Sequence, residues 1–158
     1  MRILPLVKII FGCVCFFLVS SCIPIRRGPV DTATVESAEI PPDMATEKFI
    51  LIGMVKNRKS YDKYLRTAFD TYTGKYILAD NKEIAANYQD TVKYRYILDY
   101  TDEYSHGNDA AGQAGTNSHH FYIRDRKANK IYMRKSWSAF FARDMRTYLQ
   151  QIEAFRKK

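Results

Sequence analysis

Apolar residues in this chain fall in blocks whose spacing changes along its length. Ile9–Val19 is a continuous apolar run behind Arg2 and Lys8, shorter than the roughly 20 residues a membrane-spanning helix needs. Phe49–Val55 is a second continuous run, of strand length, and reads as a buried central strand. Tyr61, Tyr64, Leu65, Ala68, Phe69 and Tyr72 then recur with the period of one helix face, with Ser60 as the cap and Gly74 as the stop. Tyr76–Ala79 predicts a brief strand, and Asp80 with Glu83 three positions on forms a capping box for a helix reaching about Tyr88. Val92, Tyr94, Tyr96, Leu98 and Tyr100 alternate with Lys93, Arg95 and Asp99, as a strand covered on one face requires, while Ile97 falls on the polar side. Phe121–Arg124 and Ile131–Arg134 flank Asp125–Lys130, where Asn129 tolerates a left-handed turn, so they predict a hairpin. A last helix starting at Ser136 or Ser138 lines up Phe141, Met145, Tyr148, Leu149, Ile152 and Phe155.

The order is βαβα, then strands and a closing helix. Its simplest packing is an α/β (α+β) two-layer sandwich, a mixed sheet with helices mainly on one face. The strand and helix signals place this single domain at residues 48–158. Before it, Ile23–Glu47 holds Pro24, Pro29, Pro41 and Pro42 with few large apolar groups, which predicts a flexible linker over residues 22–47.

The first residues read differently. A basic start, an apolar stretch and the small residues Ser20-Ser21 are the regions of an export signal in order. Because Cys22 follows them, the segment resembles a bacterial lipoprotein signal. That resemblance implies cleavage after residue 21, acyl chains on Cys22 and anchorage to a membrane. A cysteine suits this chemistry because its thiolate is a far better nucleophile than a serine hydroxyl. Two other readings stand beside it: an uncleaved anchor, and an ordinary exported cysteine. The remaining cysteines, Cys13 and Cys15, both lie inside the signal, so Cys22 would have no disulfide partner after cleavage. By resemblance to lipoprotein sorting in Gram-negative bacteria, Ile23 in the next position implies the periplasmic face of the outer membrane.

Charge narrows the partners. The chain carries a formal +8, and of its 25 Lys and Arg only Arg2 and Lys8 lie in the signal. A moderately basic exported domain can meet anionic headgroups, cell-wall carboxylates or an acidic protein, and export argues against nucleic acid. Arg26-Arg27, next to the anchor, are placed to touch headgroups.

Phe49–Val55 before the Ser60–Tyr72 helix, Tyr76–Asp80, and the turn Asp125-Arg126-Lys127-Ala128-Asn129-Lys130 give the folded part a resemblance of order and pattern. It is similar to a domain of penicillin-binding-protein activator lipoproteins, curli-secretion lipoproteins and the N-terminal part of the Tol translocation protein. Ala128 stands where that family's turn has threonine, and no functional motif is shared, so the resemblance speaks to fold.

Candidate chemistry is sparse. His106, His119 and His120 with Asp109 border the loop Ser105–Ser118, but adjacent histidines on a strand point to opposite faces, so no metal site or cofactor is expected. No nucleophile motif such as Gly-x-Ser-x-Gly is present. Asp99, Asp102 and Glu103 crowd one strand and are the candidates for a glycosidase pair. The Gly-, Ala- and Asn-rich loop is either a tolerated insertion or a segment that orders on a partner. The basic, aromatic group Arg134, Lys135 and Trp137 with Arg143 and Arg146 is the candidate partner-binding surface, since Trp and Arg dominate binding energies; Trp137 as a core residue is the competing reading. The expectation is a non-catalytic envelope lipoprotein that works through a protein partner, with a cell-wall or small-ligand-binding hydrolase as the alternative.

Overall fold

The apolar run before Val55 becomes β1 (Leu51–Met54), and all of its residues are buried because it has a strand on either side. The computed structural model describes residues 33–107 and 114–158. After β1 come α1 (Lys59–Phe69), β2 (Tyr76–Ala79), α2 (Asn81–Asn87), β3 (Tyr96–Ser105), β4 (Thr116–Asp125), β5 (Lys130–Met133) and α3 (Phe141–Arg156). The sheet order is β2-β1-β3-β4-β5. β1 is parallel to both neighbours and β3-β4-β5 is an antiparallel meander. The predicted mixed sheet and α/β two-layer class are what forms.

Alternation sorts the side chains into two cores. Tyr96, Leu98, Tyr100, Phe121, Ile123 and Tyr132 face α1 and α3 in the main core, while Ile52, Met54, Ala79, Ile84 and Ile97 form a smaller cluster that α2 closes from the other side. Ile97 is therefore in register, buried on the face that the alternation marked polar. Gly53 is required by this packing, since a Cβ there would lie 2.6 Å from Phe69 Cε2.

Local chemistry decides where elements start and stop. The capping box forms as predicted: Asp80 Oδ1 accepts from Lys82 and Glu83 N–H at 2.9 Å, and Glu83 takes the Asp80 N–H at 3.0 Å. Asn129 adopts φ 50° in the β4–β5 turn, and Asp125 Oδ1 accepts the Lys127 and Ala128 N–H groups at 3.0 Å. Elsewhere the boundaries shift. α1 begins at Lys59, with Arg58 and not Ser60 at its N-cap, and ends at Phe69 rather than running to Tyr72. Val92 and Tyr94 are not in β3, because the Asp90 carboxylate accepts from Val92 and Lys93 N–H and holds a turn there. β3 and β4 instead pair for ten residues, from Tyr96↔Asp125 to Ser105↔Thr116. The predicted loop is thereby shortened to residues 106–115, whose tip lies outside the described residues. α3 starts at Phe141, because Ser138 is held in a bridge to His119 and its hydroxyl takes the Phe140 N–H at 2.9 Å.

The linker boundary at residue 47 is corrected more deeply. From Ala33 onward the chain belongs to the domain: Ala33, Ile40 and Met44 are buried in the main core, and Pro42–Ala45 is a 3-10 helix. Tyr148 donates its hydroxyl to the Glu39 carbonyl at 2.6 Å, and Gln151 Oε1 accepts the Ala33 N–H at 3.0 Å. Arg95 completes the clamp. Its guanidinium grips Asp125 at 2.7–3.0 Å and reaches out to Asp43 at 2.7 Å and Glu47 at 2.5 Å. Burial pushes the Asp125 carboxyl up, but Arg95 and the two turn amides outweigh it and hold it below the usual range. Pro41, Pro42 and the polar residues of 33–47, which looked like part of a tether, cover one side of the main core.

Candidate functional site

The β3–β4 ladder carries inward-facing residues past the main core to the point where α1 and α3 begin. His119 sits there, 3% exposed, because the alternation that buries Ile123 and Phe121 continues to it. Its ring meets Tyr61 edge-on at 5.1 Å and Phe141 at 5.0 Å, and Tyr61 meets Phe141 at 4.7 Å. Across the ladder from His119 stands Asp102, whose Oδ1 is 2.7 Å from His119 Nδ1. An ionised carboxylate only accepts, so Nδ1 donates and Nε2 is left with its lone pair. The other carboxylate oxygen is paired with Arg58, whose guanidinium also lies 4.1 Å above the Tyr61 ring. Burial, and then the Arg58 charge, hold His119 below the usual imidazole value, which favours the neutral ring.

Over this pair opens a groove of about 550 Å³ lined by Ser60, Tyr61 and Tyr64 from the start of α1 and by Ala139–Arg143 from the start of α3, with His119 at its floor. Neither helix start has a side-chain cap. Tyr64, expected in the core, stands at the rim because α1 shows that side to the groove.

The other sequence-derived candidates separate in space. His120 points to the opposite sheet face, where its ring stacks on Trp137 at 4.4 Å and its Nε2 contacts the Arg134 carbonyl. His106 packs on Tyr104 at 5.0 Å. Asp109 lies outside the described residues, as do Cys22, Arg26 and Arg27. The carboxylates do not converge either. Asp102 faces the helices, whereas Asp99 faces away, held by Lys56 at 2.9 Å and by the Tyr122 hydroxyl at 2.5 Å. Opposite faces of one strand cannot present Asp99 and Asp102 to one substrate, and Glu103, on the Asp99 face, stands four residues further along, about 13 Å away and beyond the reach of a glycosidase pair.

The basic, aromatic group is also divided. Arg134 is 2% exposed, with its guanidinium 5.3 Å over the Tyr148 ring, so it belongs to the core and not to a partner surface. Trp137 is 47% exposed and is no core residue. Through its stack on His120 it lies on the outer sheet face, on the continuation of β5. There it joins Ile131, 50% exposed, and Met133, 38% exposed. Arg124 is paired across from Ile131, and Lys135 is exposed between Met133 and Trp137. Arg143 and Arg146 are on α3 instead: Arg143 borders the groove and holds Asp144 at 2.5 Å, and Arg146 faces solvent.

The groove residues Tyr61 and Phe140, and Arg58 behind Tyr61, carried no motif in the sequence. The available signal was His119 itself, two and four positions before Phe121 and Ile123 on an alternating strand. No protein-family model, curated protein or solved structure matches this chain.

Proposed function

We propose that this chain is a non-catalytic, lipid-anchored envelope protein that holds a protein partner on the outer face of its sheet, as an accessory or assembly component of a secretion apparatus or peptidoglycan machinery. The observation that carries the reading is the line of Ile131, Met133 and Trp137 on that face, half-exposed and beside Arg124 and Lys135. Large apolar side chains grouped on an edge strand and rimmed by cations suit an apolar-centred, acidic-rimmed partner. α2 covers this face over β1, β2 and Ile97 of β3, so the exposed part is the β5 edge with Arg124 across from it. Anchorage follows from the signal ending at Cys22, and the site is the periplasmic face of the outer membrane. With the domain beginning by Ala33, residues 23–32 supply a tether of at most about 35 Å, so the partner is met close to the membrane.

Crosslinking in intact membranes tests the docking face. Trp137→Ala and Met133→Ser should leave the melting temperature nearly unchanged, as surface changes do, while the crosslinked partner is lost. A normal melt with undiminished crosslinking refutes the docking face. For the anchor, Cys22→Ala should accumulate as unprocessed precursor, and its recovery as processed, soluble protein would refute lipidation. The hydrolase alternative draws on the Asp102–His119 pair facing the groove. Turnover of cell-wall fragments that is abolished in His119→Gln would establish it in place of the docking reading.

A further inference from the structure

The groove at the helix starts is a second site, on the opposite layer from the docking face and independent of it. Its walls are aromatic: Tyr61 and Phe141 are fixed against His119, while Tyr64 and Phe140 stand 44% and 51% exposed at the rims. Ser60, Ala139 and Ala142 are small, which keeps the slot between the rings open. Its polar groups are few and different in kind. His119 Nε2 is an acceptor with no partner among the described residues, on a side chain that is 4% exposed and lines the floor. Ser60 can both donate and accept, and Arg143 donates from the rim. No carboxylate is among the lining residues, and Arg143 is the lining charge: Asp144 holds its Nε and one terminal nitrogen and leaves Nη1 without a partner among the described residues, while Arg58, behind Tyr61, is paired with Asp102. Neither helix start has a side-chain cap, and the first-turn carboxylates Asp62 and Asp144 compensate their N-terminal potential, so the positive charge offered to a ligand is that of Arg143.

We propose that this groove binds an acidic saccharide, a pyranose ring bearing a carboxylate within a longer glycan. A pyranose presents a flat C–H face to an aromatic wall and hydroxyls around its rim. One of those hydroxyls donates to His119 Nε2, and the carboxylate meets Arg143 through the nitrogen that Asp144 leaves unused. The groove is open to solvent, so the glycan can continue past the rims. A peptide fits less well, because no free strand edge runs along the groove to read a main chain; the ladder here is paired from His119 to Ser138. Asp102 acts as a positioning residue, fixing the imidazole so that the acceptor, not the donor, faces the ligand.

Titration calorimetry of the folded domain with tetragalacturonate, with a neutral N-acetylglucosamine tetramer and with hexaglutamate tests the assignment. The acidic sugar should bind at least tenfold more tightly than either of the others. Phe140→Ala and Tyr64→Ala, exposed positions that leave the fold intact, should each weaken it by at least fivefold with an unchanged melt. His119→Gln should weaken it as well, while Lys135→Ala, on the other face, should not. Absence of binding by tetragalacturonate at millimolar concentration overturns the proposal. So does hexaglutamate binding as tightly as the sugar, or sugar binding that Phe140→Ala and Tyr64→Ala leave untouched.

Discussion

Removing the side chains of Ile40 and Met44 is the sharpest test of where the domain begins. Both are essentially fully buried, 1% and 0% exposed, in the main core beside Tyr148. Truncation of a buried Ile or Met to Ala costs about 2–5 kcal/mol each, the lost transfer energy plus the cavity left behind. The two sites share one core, so the double variant will depart from simple additivity. Even about 5 kcal/mol in total reaches the lower end of the stability of an ordinary domain, about 5–15 kcal/mol. A chain starting at Thr46 also strips the Glu39 carbonyl from the Tyr148 hydroxyl and Asp43 from Arg95, leaving buried polar groups short of partners. That chain should not fold cooperatively. Urea denaturation followed by circular dichroism measures the single variants against the chain beginning at residue 33. Losses under about 1 kcal/mol for both Ile40→Ala and Met44→Ala, or a cooperative, near-native transition from Thr46 onward, would refute the packing of residues 33–47 on α3.

Asp125→Asn should cost about 3–5 kcal/mol by the same assay, because Arg95 is left buried against a neutral amide while its partners Asp43 and Glu47 are half in water; a loss below about 1 kcal/mol would show that those two suffice. Phe141→Ala should cost about 3–5 kcal/mol, since its ring touches Tyr61, Tyr100, His119 and Phe121, and a small loss would mean that α3 starts elsewhere. His119 has its folded value below the unfolded one, so the folded state binds fewer protons. Its contribution is present above about pH 6.5 and is lost as pH falls through the lowered value. Between pH 7 and pH 5 the melting temperature of the native chain should therefore fall more than that of His119→Gln; parallel slopes would rule out the buried neutral imidazole.

The elements were legible wherever a residue's role is local. A capping carboxylate three positions before its partner, an asparagine in a left-handed turn and an apolar face at helical spacing act within a few residues, and Asp80, Asn129 and the α3 stripe do so here. Starts and stops failed where a local rule met a distant partner. Ser138 has every mark of a helix cap, but the bridge to His119 holds it in an extended segment. Ile97 looked misplaced because the sequence does not say that α2 crosses to the far face of the sheet and covers it.

The candidate sites show the same division. Alternation alone puts His119 and His120 on opposite faces, and that much the sequence determines by itself, as it does the class of the fold. Which face is dry, which is open and which strand residue ends against a helix start depend on contacts between segments far apart in the chain. Asp102 meets His119 across a ten-pair ladder, Asp43 meets Arg95 from a stretch that composition marks as linker, and Trp137 stands on the outer sheet face with Lys135, apart from the buried Arg134 and from Arg143 and Arg146 on α3. A polar, proline-bearing segment is equally at home in water or laid over a core. Tertiary packing decided between the two, because only the folded sheet and α3 offer Ile40 and Met44 a surface to bury against.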